Sequence, residues 1–234
     1  MTVLVAASSP EGFAIAADGR RISANGDYFS DNAQKIWHAV RPGEFALAYG
    51  WCGNTRLESG LGTFDFPTVS QEVLGEISEA VNGAQPDTVF REFARKVYLR
   101  LKYFLEGIDP SLSTVKVPET IAQVLFVGYV GQNPMQVIGT FSHRDGQAQV
   151  PCLSSYDSAE NDFLLLSGSA TLFERFEGPE ITTLRVAIET VRKYAQDCVD
   201  QRCTIADCSA FGGHIHVGSV TTEGFSWVVL PIGG

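Results

Sequence analysis

The sequence predicts a layered α+β domain rather than a parallel, doubly wound sheet. Three observations carry this. Apolar, strand-like runs come in pairs joined by hairpin-length links, a pair of amphipathic helices interrupts them after the first third, and further helices separate the middle strands from a closing pair. A chain of 234 residues is long enough for one large domain and marginal for two. With no internal repeat, low-complexity tract or linker, the expectation is one domain over 1–234.

In the first third, Thr2 to Ala7 and Gly12 to Asp18 are apolar runs separated by Ser8-Ser9-Pro10-Glu11, a cluster of turn formers. Lys35 to Val40 and Phe45 to Gly50 form a second pair around Arg41-Pro42-Gly43-Glu44, where Pro followed by Gly suits the centre of a tight turn. Ser70 to Asn82 reads as a helix through Val73, Ile77 and Val81. Asp87 to Gly107 reads more strongly as one, with Phe90, Phe93, Val97, Leu101 and Phe104 three or four apart, Asp87 as cap and Gly107 as terminator. Strands are then predicted at Ile121 to Val130, Met135 to Ser142 and Asp162 to Leu166. A short helix starts near Ala170, and Thr182 to Val199 carries a stripe of Leu184, Ile188, Val191, Ala195 and Cys198. His214 to Val220 and Phe225 to Leu230 close the chain as strands around Thr222-Glu223-Gly224.

The formal net charge is −10 and the isoelectric point is near 4.8, against the basic footprint of a nucleic-acid binder and against an anionic membrane surface. No apolar window is long enough for a spanning helix, and Met1-Thr2-Val3-Leu4-Val5 lacks the basic start of a secretory signal. The expectation is a soluble, cytoplasmic protein. Its five cysteines form no CxxC pair and suit reduced thiols. Cys198, Cys203 and Cys208 with His214 and His216 match no common zinc-ligand spacing, so no metal is expected and structural thiols are the default.

Facing residues of an antiparallel hairpin share a face. Centring the first turn on Pro10 places Thr2 opposite Asp18, a hydroxyl beside a carboxylate, and centring the second between Pro42 and Gly43 places Lys35 opposite Gly50. Taken singly, these residues are ordinary: Asp18 before Gly19 suits a turn, Lys35 a solvated edge, Gly50 a strand end and Ser167-Gly168-Ser169 a loop.

Five blocks in order are more informative. Thr2 to Val5 with Glu11 to Asp18, then Asn32-Ala33-Gln34-Lys35-Ile36, Phe45 to Gly50, Ser167-Gly168-Ser169-Ala170, and Asp207 through Gly212-Gly213 resemble proteasome β-type subunits and related bacterial peptidase subunits. The resemblance spans nearly the whole chain and places it among the N-terminal nucleophile hydrolases. It departs from that pattern at Phe211, which stands where the family has a Ser ahead of the two glycines.

The resemblance implies a four-layer αββα sandwich, two antiparallel sheets between helix layers. It also implies removal of Met1, so that Thr2 becomes the nucleophile and its own α-amine the base, the amine's reference pKa of about 7.7 to 8.0 suiting neutral pH. Lys35 would lower that pKa, Asp18 would hold the lysine, and the Gly50 N–H would stabilise the oxyanion. Ser167 and Asp207 would orient the amine and a water. Ala48 and Cys52 would flank the substrate pocket, with Trp37 and Arg21 on its walls, and small Ala48 would admit a bulky neutral side chain.

The function implied is a threonine-type peptidase acting on polypeptides in a self-compartmentalised homo-oligomeric ring, without cofactor or metal. The chain has no G-x-x-x-x-G-K-[ST] loop, so any ATPase unfoldase would be a separate partner. The alternatives are a stand-alone amidohydrolase of small amides and a non-catalytic structural subunit.

Overall fold

The computed structural model describes residues 2–22, 28–59, 62–77, 86–107, 119–160 and 162–231. Strands β1 (Leu4–Ser9) and β2 (Gly12–Ala17) are apolar without alternation because both of their faces are covered. Val3, Val5 and Ala7, with Ala14 and Ala16 opposite, pack under a helix, while Leu4, Ala6, Ile15 and Ala17 face a second sheet. The Pro10-Glu11 link joins Ser9 to its partner Gly12.

After β2 come a small hairpin, β3 (Arg21–Ile22) with β4 (Tyr28–Ser30), and the longer pair β5 (Ile36–Arg41) and β6 (Phe45–Gly53). Glu44 N–H donates to Arg41 O at 3.0 Å and Gly43 has φ +80°, the left-handed conformation that a Pro-Gly type II turn requires. A second small hairpin, β7 (Arg56–Ser59) and β8 (Gly62–Asp65), leads into α1 (Phe66–Ile77) and α2 (Pro86–Glu106). Then follow β9 (Thr120–Val130), β10 (Asn133–Arg144), β11 (Gln147–Ala148), β12 (Cys152–Tyr156) and β13 (Phe163–Ser167). Helices α3 (Ala170–Phe173) and α4 (Leu184–Asp200) and two 3-10 turns, Gln201–Cys203 and Ala206–Cys208, precede β14 (His216–Thr221) and β15 (Gly224–Val229).

The strands form two main antiparallel sheets, in the order β13-β1-β2-β14-β15 and β11-β10-β9-β6-β5, with β12 also paired to β10. Three apolar strata separate four layers. Between α4 and the first sheet lie Val191, Tyr194 and Ala195 against Val5, Ala16 and Val217. Between the sheets lie Leu4, Ile15, Ile36, Ala48 and Leu125. Between the second sheet and α1 and α2 lie Tyr49, Trp51 and Phe126 against Phe66, Phe93 and Val97. This is the α+β sandwich that the sequence leads one to expect.

Boundaries moved where capping chemistry decided them. The first helix starts at Phe66 rather than Ser70, because Asp65 Oδ1 accepts from the Thr68 N–H at 2.9 Å and Pro67 fits the first turn. Its predicted end, with Val81 and Asn82, lies outside the described residues. The second begins at Pro86, which puts Asp87 inside the first turn instead of ahead of it. Helix α4 is capped by Thr183, whose Oγ1 accepts from the Val186 N–H at 3.3 Å, and by Glu11 of the first hairpin, which accepts from the Leu184 N–H at 2.8 Å. Strands β3, β4, β7, β8, β11 and β12 have no counterpart in the sequence reading; each is only two to five residues long, too short for a period to show, and β12 is largely exposed. Among the described residues, no helix is long and apolar enough to cross a membrane.

Candidate functional site

The two hairpin registers differ by one residue from those the turn residues predict. Leu4 faces Ala17 in the first, which carries Val3, rather than Thr2, to the place opposite Asp18. In the second, Ile36 rather than Lys35 faces Gly50. The cause lies in the loops, since the first hairpin closes with two link residues and the second with a type II turn plus Glu44.

The carboxylate and the ammonium nevertheless meet, by crossing between sheets rather than within a hairpin. Lys35 Nζ donates to Asp18 Oδ1 at 2.7 Å. The Val3 backbone N–H donates to the same oxygen at 2.9 Å, and the Gly212 N–H to Oδ2 at 3.1 Å. Asp18 is fully buried and Lys35 nearly so. The carboxylate therefore accepts from the chain start, the facing sheet and the loop before β14, and it fixes the residue after Thr2. Thr2 itself is half-buried, immediately ahead of that anchored amide.

Burial draws the Lys35 pKa below the ordinary lysine value. The Asp18 charge and hydrogen bond oppose this, and the positive charge of exposed Arg21 adds to it. The result is a buried lysine that holds its proton less tightly than one in water, joined through Asp18 Oδ1 to the amide of the residue after Thr2.

Along β6, Ala48, Gly50 and Cys52 share the face turned toward the first sheet. A Cβ on Gly50 would lie 2.5 Å from Leu4 Cδ1 and 3.0 Å from the Lys35 carbonyl oxygen, so glycine is required there first by the approach of the two sheets. Ala48 is fully buried in the inter-sheet apolar stratum. Buried Cys52 is hydrogen-bonded with Ser167, and burial pushes its thiol up to about 11, so it stays protonated at neutral pH. Ser167, at the end of β13, faces Leu4 across the edge of β1.

Trp37 goes elsewhere. It stacks on Tyr49 with ring centroids 6.1 Å apart and packs against the helix-side stratum, on the opposite face of the sheet from Ala48. Asp207 also has a different partner from the one its motif suggests. Ser169 Oγ donates to it at 2.8 Å and the Thr171 N–H at 3.2 Å, while Ser169 Oγ accepts from the Leu172 N–H, so the two residues together cap α3.

Sequence reasoning missed the Val3 and Gly212 amides, Ser169 and the latch behind Gly212. In that latch Arg20 Nε donates to Asp31 Oδ1 at 2.9 Å, and its guanidinium lies where a Cβ on Gly212 would fall. The adjacent Gly212-Gly213 was the available signal, because two glycines in succession mark a close backbone approach. His216 was read only with His214 and three cysteines, as a set that matches no common zinc-ligand spacing. Of the cysteines read with it, Cys198 and Cys208 are buried and Cys203 is exposed, and no group of three metal-ligating side chains forms among the described residues.

Neither a protein-family model nor a curated protein sequence matches the chain. Solved structures do. An Anbu (Gly-1) mutant from Hyphomicrobium sp. strain MC1 superposes with a TM-score of 0.60 at 13% identity, covering 100% of this chain and 89% of that one. Anbu, described as an ancestral beta-subunit, from Yersinia bercovieri gives 0.52 at 12% over 97% and 87%. A chain of the helical assembly of the Anbu complex from Pseudomonas aeruginosa gives 0.55 at 15% over 99% and 88%. These likenesses establish the fold.

They also correct the resemblance drawn from the five blocks. The matching structures are Anbu proteins, so the assignment to proteasome β-type or bacterial proteasome-related subunits, and through them to the N-terminal nucleophile hydrolases, does not hold. The physical reason is visible in the sandwich. The small residues of Ala14 to Ala17 and Ala46 to Gly50 are what closely packed sheets demand, so such blocks mark an architecture rather than one family within it.

Proposed function

We propose that the chain hydrolyses amide bonds in polypeptides with Thr2 as nucleophile after removal of Met1, working as one subunit of a homo-oligomer. One observation carries this: the buried Asp18–Lys35 pair, whose carboxylate oxygen also holds the Val3 N–H, the amide next to Thr2. A buried ion pair is a poor stabiliser of folds, because desolvation offsets its attraction, and a pair that anchors the amide next to Thr2 suits chemistry better than stability.

In this reading the free α-amine of Thr2 takes the hydroxyl proton and the hydroxyl oxygen attacks the substrate carbonyl. Lys35 lowers the amine's proton affinity by like charge, Asp18 holds the lysine, and the Gly50 N–H meets the oxyanion. Arg21 adds positive charge to the same surroundings. Cys52, hydrogen-bonded with Ser167, lies near Lys35 as a neutral thiol. Assembly is supported by likeness to a chain whose structure is described as a helical assembly.

The test is an N-terminal-threonine-directed epoxyketone followed by peptide mapping and native mass. Labelling confined to Thr2, lost in Thr2→Ala, in an oligomer is the expected result. Labelling in a monomer would leave the stand-alone amidohydrolase. Retention of Met1 with no labelling would overturn the enzyme reading in favour of a non-catalytic subunit.

A further inference from the structure

His216 is the buried side chain whose surroundings account for it least. It opens β14 opposite Ala17, which itself faces Leu4, so a row from Ser167 through Leu4 and Ala17 to His216 crosses the first sheet on its inter-sheet face. The neighbours along that face, Phe13, Ile15 and Val220, are apolar. The ring is fully buried, and neither Nδ1 nor Nε2 has a hydrogen-bond partner among the described residues. A neutral imidazole carries one donor and one acceptor, and leaving both unpaired in the interior costs more than placing a valine there. A purely structural residue at this position would not be histidine.

The titratable groups around the ring come from several elements. His214 lies on the same segment, with ring centroids 5.4 Å apart. Asp18 follows Ala17, and Lys35 precedes β5 in the facing sheet, near enough for its charge to act on the ring. On β5 itself, His38 is stacked on Phe225 at 4.3 Å, with an interplanar angle of 13°. Burial, then the charges of His214 and Lys35, push the His216 pKa down to about 4, so at neutral pH the ring keeps an open acceptor nitrogen.

Lys35 has three ammonium hydrogens, and Asp18 Oδ1 takes one of them. We infer that His216 is a positioning residue for Lys35: in the working site its acceptor nitrogen takes a second ammonium hydrogen, directly or through one water, and turns the third toward Thr2. This deepens the function proposed above and rests on it.

The experiment compares epoxyketone labelling rates across pH for the wild-type chain, His216→Leu and His216→Asn, with urea unfolding alongside. His216→Leu is expected to fold at least as stably at pH 7, to label about tenfold more slowly and to shift the pH midpoint of labelling. His216→Asn, which keeps an acceptor, is expected to recover most of the rate and the wild-type midpoint. Should the leucine variant not fold, His216→Val serves in its place, valine being favoured in strands. An apolar variant within twofold of wild type at an unchanged midpoint, or an asparagine variant as slow as the apolar one, overturns the inference alone. A wild-type chain left unlabelled at Thr2 overturns the function proposed above and this inference with it.

Discussion

Lys35 and Asp18 meet at 2.7 Å in the interior, between two sheets whose hairpins pair neither residue with the other. Removing one partner therefore strands a charge. Asp18→Asn should cost about 3 to 5 kcal/mol of unfolding free energy. Adding Lys35→Met should return much of that, since the unpaired ammonium is then gone. Urea denaturation at pH 7 reads both, and an Asp18→Asn variant as stable as wild type would show that the pair does not anchor the chain start.

Gly50 has no room for a methyl group. Its Cβ would press on Leu4 Cδ1 at 2.5 Å, in a fully buried stratum. Gly50→Ala should destabilise by about 1 to 3 kcal/mol. In a Leu4→Ala background the added cost should shrink, because the obstructing carbons are absent. Equal costs in both backgrounds, measured by a double-mutant cycle, would put the obstruction elsewhere.

The His216 titration sets a pH dependence of stability. Its pKa is about 4 in the folded chain against 6.5 unfolded, so between these values the unfolded state binds more protons. The contribution is fully present above pH 6.5 and is lost as pH falls toward 4, amounting to about 3 kcal/mol. Urea midpoints from pH 4 to 7 should fall with acid in the wild type and fall less in His216→Leu. Parallel curves would assign the acid sensitivity to other groups.

Ser169, not Ser167, is the hydroxyl tied to Asp207 and to the first turn of α3. Ser169→Ala should cost about 1 kcal/mol through loss of the cap, and Ser167→Ala less. Hydrogen exchange at the Thr171 and Leu172 amides should rise only in the first variant. Faster exchange of those amides in Ser167→Ala instead would reverse the assignment.

The long signals survived folding because each reports burial over many residues. Phe90, Phe93, Val97 and Leu101 put one face of α2 into the core, as their spacing predicts. The runs 2–7 and 12–18 became sandwich strands because an apolar stretch without alternation has to be covered twice. Register was not legible to one residue: a Pro10-Glu11 link and a Pro42-Gly43 turn shift a pairing through backbone angles that composition does not specify. Trp37 illustrates the consequence. The resemblance implies a pocket wall for it, whereas alternation with the inter-sheet Ile36 sends it to the helix side with Tyr49.

By itself, the sequence determined the layers, the strand pairs and the presence of a hydroxyl, a carboxylate and a lysine near the start of the chain. Those properties are local and follow from hydrophobic period and turn chemistry. Only the tertiary structure decided that Lys35 reaches Asp18 from the opposite sheet, that Gly212 returns from the far end of the chain to the other carboxylate oxygen, and that the His216 ring is shut in without a hydrogen-bond partner among the described residues. Each of these joins segments distant in sequence across a buried, low-dielectric interface. Their geometry is fixed by how two sheets close on one another, a quantity that no window of sequence contains.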